Sequence, residues 1–128
     1  MSDLRPIGEP IMIEGVERHL LFTLNSCDAI QDKFDSSLEE VIDMLMDKRK
    51  CLKAAKGVLT ELLNDEVERL DHDKKGHEFK KYTWQEIGWI LKPDNVSEAM
   101  FAILRAYGIS IPETDEYDSP NAGCGQKE

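Results

Sequence analysis

Asp71, His72, Asp73 and His77 are residue types that could hold a divalent metal ion. A helix would present two histidines on one face at a spacing of about four residues, as in zinc-binding helices. His72 and His77 are five apart, so a solvated loop describes the segment better than a metal site. Glu39, Glu40, Asp43 and Asp47 could supply general acid–base pairs, but that chemistry needs a concave apolar setting, and here they read as the wet face of a helix. Cys27, at a helix start, has the position of a thiol activated by a lowered pKa. It also shares helical spacing with Ile30 and Phe34, which makes it a small buried hydrophobe. His19 sits among apolar strand residues with no serine or cysteine nucleophile beside it. Lys74, Lys75, Lys80 and Lys81 interleave with Phe79 and Tyr82, as in platforms for single-stranded nucleic acid. The net charge of -10 repels phosphate backbones and opposes that use. These residues lead to the expectation of a protein that is not an enzyme, with no catalytic residues, metal, cofactor or nucleic-acid site.

Apolar surface is the remaining resource. Trp84, Trp89, Met100 and Phe101 fall on two short neighbouring helical segments, too small to bury all four. Trp89 and Phe101 are therefore candidate contact residues for a partner. Met44 and Met46 lie off the apolar stripe of their own helix, and flexible thioethers adapt to irregular partner surfaces, which makes them candidates too.

The elements that must carry these residues follow from punctuation and periodicity. The chain has 128 residues, 41% hydrophobic and 33% charged, which fits one globular domain with a modest core. Cys27, Cys51 and Cys124 are few and scattered, the usage of a reducing cytoplasm. No basic segment followed by an apolar run marks a signal peptide, and no apolar stretch is long enough for a membrane span. Ile11–Ile13 and His19–Leu24 flank a Glu14-Gly15 turn and predict a hairpin, with Leu20, Phe22 and Leu24 on one face. Asn25 or Ser26 caps a short helix that breaks at Asp35-Ser36. Ser37-Leu38-Glu39-Glu40 is a capping box opening a second helix, with Leu38, Val41, Ile42 and Leu45 inward. The stretch from Leu20 to Met46 is the one against which the rest is expected to pack.

A third helix is predicted over about Lys48–Leu70, burying Leu52, Ala55, Leu59, Leu62, Val67 and Leu70. Its start is basic and its end acidic, against the macrodipole, which calls for solvent screening or contact with the acidic first helices. Asp71–Tyr82 is a charged linker. Thr83-Trp84-Gln85-Glu86 is another capping box, opening a helix stopped by Pro93, and a last helix runs from about Asn95 to Gly108. The fold class is mainly α (α+β): an N-terminal β-hairpin, then about five packed helices. The domain is expected over residues 10–112, with a disordered acidic tail over 113–128.

Two stretches carry a family resemblance. The hairpin and helix of PIMIEGVERHLLFTLNSCDAIQDKF, followed at once by SSLEEVIDML, and the later YTWQEIGWILKPDNVSEAMFAILRAYGISIPE resemble the tail assembly chaperones of long-tailed phages and prophages. The likeness spans about Pro10 to Glu113 and lies in the type and order of elements. It implies a non-enzymatic protein of the host cytoplasm that binds the long, helical tape measure protein and keeps it soluble. Tail tube subunits are then recruited around that protein, and the chaperone is absent from the mature virion. In many members a ribosomal frameshift appends a second domain that contacts the tube protein; this chain would be the short form. The charged segment Asp71–Tyr82 departs from shorter members. The apolar patch would also serve self-association into a homo-oligomer. A different class of protein, an acidic regulatory adaptor or inhibitor placing its tail in a basic groove of a partner, fits the same composition. A metal enzyme built on Asp71–His77 is the third reading.

Overall fold

The structure, a computed structural model, describes residues 8–109. An antiparallel hairpin of β1 (Glu9–Ile13) and β2 (Val16–Leu20) leads into five helices: α1 (Leu24–Phe34), α2 (Leu38–Met44), α3 (Cys51–His72), α4 (Trp84–Ile90) and α5 (Val96–Tyr107). The expected acidic tail over 113–128 lies outside the described residues.

Glu14 and Gly15 both adopt left-handed backbone, with φ of 53° and 80°, the pattern of the tight hairpin turn whose twist matches its strands. That turn pairs Ile13 with Val16 and fixes the register, so Ile11 faces Arg18 and Met12 faces Glu17. Alternation then sends Ile13, Arg18 and Leu20 inward and leaves Met12 on the outside.

β2 ends sooner than its apolar run. Thr23 leaves the strand to cap α1: its hydroxyl accepts the Ser26 N–H at 3.0 Å, and the Ser26 hydroxyl accepts the Thr23 N–H at 2.9 Å. The cap is thus Thr23 rather than Asn25 or Ser26, and Leu24 turns outward, 87% exposed, instead of continuing a face with Leu20. The other two capping boxes form as expected, at Ser37/Glu40 and Thr83/Glu86. Asp35, left-handed at φ 54°, separates α1 from α2.

The centre of the molecule is α3, not the Leu20–Met46 stretch. It packs against β2, α1, α2, α4 and α5. Its length explains why: 22 residues extend about 33 Å, and neighbours on several sides bury Cys51, Ala54, Ala55, Val58, Leu59, Leu62 and Leu63. Leu52 is an exception among the residues predicted to face inward. It lies on the same side as Leu59 but two turns earlier, at the rim of a slot shared with the α4–α5 corner, and is 54% exposed.

The acidic second half of α3 is matched by bases and donors from the hairpin, α1, the linker and α3 itself, whereas none of the ion pairs among the described residues joins its basic start to α1 or α2. Lys33 of α1 pairs with Glu61 at 3.2 Å, and Lys81 pairs with Glu68 at 2.6 Å. Thr23 donates to Asp65 at 2.9 Å, and Arg69 pairs with the same carboxylate at 3.1 Å. Arg18 pairs with Glu66 at 2.7 Å.

The linker before α4 is fastened to α3. The Asn64 side chain reads both backbone groups of Tyr82, donating to its carbonyl and accepting from its N–H, each at 2.8 Å. Asn64→Ala is expected to cost about 1–3 kcal/mol in urea unfolding, since two half-buried hydrogen bonds go at once. Amide exchange at Tyr82 should accelerate in the same variant.

Candidate partner-binding groove

A groove of about 620 Å³ opens between β1 and the α4–α5 corner. Three local choices build it. The hairpin register places Met12 outward on its β1 side. The Thr83/Glu86 capping box fixes the start of α4, so Ile87 is buried while Trp89, two positions on, points out. At the far end Leu91 leaves the helix in extended backbone, and Asn95 accepts the Lys92 N–H at 2.8 Å to shape the corner. Ile11, Ile90 and Leu91 are half-buried along the wall. Trp89 is 69% exposed and Met12 62%.

Tyr82 anchors one side. Its hydroxyl donates to Glu14 at 3.0 Å, tying the hairpin turn to the linker, and the Lys80 ammonium lies 5.0 Å from its ring centre. Burial, then the hydrogen bond to the Glu14 carboxylate, raises the Tyr82 phenol above its usual range, so it stays a donor at neutral pH. Glu14, Glu86, Glu98, Lys80 and Lys92 put both signs of charge around an apolar wall. Such a surface can bury an apolar side chain and orient a chain by its flanking charges.

Of the four contact candidates, only Trp89 lines this groove. Met46 is 52% exposed in the turn after α2. Met44, at the end of α2, packs partly against the core, and Phe101 is half-buried on α5. Trp84 covers Phe34 at 5.1 Å and donates its indole N–H to Glu61 at 2.9 Å, while Met100 is buried. Met12 was missed from the sequence because Ile11-Met12-Ile13 reads as one apolar run. Strict two-residue alternation, with Ile13 inward, is the signal that singles it out.

The groups weighed for chemistry are placed as follows. His77 Nδ1 accepts the Phe79 N–H at 2.9 Å, which leaves the proton on Nε2, directed at Asp71 2.7 Å away. Both ring nitrogens are thus engaged, and among the described residues no group of three or more His, Cys, Asp or Glu side chains could hold a metal ion. Cys27 is half-buried, and its thiol is shifted upward, chiefly by burial, the opposite of an activated nucleophile. His19 lies 3.0 Å from Glu17 and 3.6 Å from Glu66. Among the described residues no helix is long and apolar enough to cross a membrane.

The polar residue that sequence reasoning passed over is Arg18. It is 2% exposed, donates to Glu66 at 2.7 Å and to the Leu63 carbonyl at 3.0 Å, and lies 4.3 Å from the centre of the Phe79 ring. It joins the hairpin that forms one wall of the groove to α3.

Comparison with family models, with curated proteins and with solved structures gives no match.

Proposed function

We propose that this protein is a non-enzymatic binding protein of the tail assembly chaperone kind. On this reading it holds an amphipathic helix of the tape measure protein in the β1/α4–α5 groove and keeps it soluble in the host cytoplasm until tail tube subunits assemble around it. The single observation that carries the reading is the pair of large apolar side chains left in solvent on one groove, Trp89 and Met12. A tryptophan exposed at the mouth of a cleft with an apolar wall and a charged rim is a residue type in which binding energy concentrates. The net charge of -10 favours solubility of a complex with an apolar cargo. The phage assignment itself rests on the resemblance of the hairpin–helix and α4–α5 segments.

Co-expression with a tape measure protein fragment is expected to move that fragment into the soluble fraction. Trp89→Ser or Met12→Ser should weaken the complex by about 30-fold, the loss of about 2 kcal/mol at a contact centre. Titration calorimetry with purified partner checks this. Binding that survives both substitutions but disappears when residues 113–128 are removed would favour the acidic adaptor reading instead.

A further inference from the structure

A second cleft lies on the other side of the α4–α5 corner. It is a slot of about 340 Å³ between the first turns of α3 and that corner. Leu52, Leu91 and Val96 give it apolar walls, with Leu52 exposed at the mouth. Lys53, Lys56 and Lys92 stand around it, and no carboxylate lines it. Gly88 has no side chain to fill the space where the Lys56 stem lies, since a Cβ there would come within 3.1 Å of the Lys56 Cδ.

The charge of this slot is out of keeping with the chain. The protein carries 26 acidic against 16 basic residues, yet three lysines converge here. Lys48, Arg49 and Lys50 lie just before the N-terminus of α3, where the Asp47 carboxylate accepts the Arg49 and Lys50 N–H groups. Lys33 and Lys81 are matched, by Glu61 and Glu68. Among the described residues none pairs with Lys53, Lys56 or Lys92. A lysine-rimmed apolar slot selects an aromatic or aliphatic side chain flanked by carboxylates.

The chain contains one such segment outside the described residues. Glu113-Thr114-Asp115-Glu116-Tyr117-Asp118 sets four carboxylates around a single aromatic residue. Its reach is sufficient. Val96 in the slot begins α5, and Ile109 lies just past that helix's end, about 20 Å away at the rise of an α-helix. The eight residues from Ile109 to Tyr117 span up to about 27 Å when extended. We propose that the lysine-rimmed slot between α3 and the α4–α5 corner is the docking site for this chain's own Glu113–Asp118 segment, with Tyr117 between Leu52 and Val96 and the carboxylates on Lys53, Lys56 and Lys92. This site lies on the other side of the α4–α5 corner from the Met12–Trp89 groove, and Leu91 and Lys92 border both.

NMR on the full chain at low ionic strength tests it. Nuclear Overhauser contacts are expected between the Tyr117 ring and the methyl groups of Leu52 and Val96. They should vanish in K53E/K56E and at high salt, and return when K53E/K56E is combined with D115K/E116K. Tyr117→Ser, which leaves the described domain untouched, should shift the Leu52, Gly88 and Val96 signals even if the lysine variants fail to fold. Absence of the contacts, with those signals unchanged in Tyr117→Ser, overturns the proposal. Contacts that fade on dilution would place a second copy's segment in the slot and equally overturn docking within one chain.

Discussion

Arg18→Ala is expected to lose about 3–5 kcal/mol of stability. The side chain is buried and anchors three things at once: the Glu66 carboxylate, the Leu63 carbonyl and the Phe79 ring. Removing it does not simply delete an attraction. It leaves Glu66, 5% exposed, without its guanidinium partner and with His19, 3.6 Å away, as its remaining ion-pair contact among the described residues. The penalty is mostly that of a stranded charge, and this gives a sharp companion experiment. Arg18→Met combined with Glu66→Met replaces the pair with apolar volume and should unfold within about 1–2 kcal/mol of the wild type. Urea denaturation of the two variants decides the matter. If the double variant is as unstable as Arg18→Ala, packing rather than charge explains the loss.

Gly57→Leu is expected to destabilise the fold by about 3 kcal/mol or more. Gly57 is buried in the middle of α3, where glycine is otherwise a poor choice. Two aromatic rings occupy the space above it. A Cβ there would sit 2.5 Å from the Trp84 Cη2 and 2.6 Å from the Phe34 Cζ, distances no real Cβ adopts. Larger side chains must push Trp84 off Phe34 and break its hydrogen bond to Glu61. Gly57→Ala is the milder version, because the gain of about 1 kcal/mol in helix propensity offsets part of the clash. Near-UV circular dichroism should show loss of the tryptophan signal in step with the change in the unfolding midpoint. A Gly57→Leu variant as stable as the wild type would mean that α4 is free to move away from α3.

Local rules account for the parts of this protein that were legible beforehand. A Glu-Gly turn, two Ser/Thr-x-x-Glu boxes, the Asp35 break, Pro93 and Gly108 are each decided by a few neighbouring residues, so the hairpin and five helices could be placed in order. The third capping box escaped notice because serine, not glutamate, closes it at Ser26. Exposure was read less well. Trp89 is exposed, and so are Leu52 and Leu24, which periodicity alone would turn inward. Periodicity gives a direction around an axis, but not whether another helix reaches that far along it.

What the sequence by itself determined, then, is where each element starts and stops and which residues prefer the inside. Only the tertiary structure decided that α3 rather than the Leu20–Met46 stretch is the centre, that Met12 and Trp89 meet across one groove, and that Arg18 is buried against Glu66 48 residues away. The reason is physical: caps and turns are settled by contacts within a few residues, while burial, pairing of charges and the shape of a cleft depend on which distant surfaces the packed helices bring together.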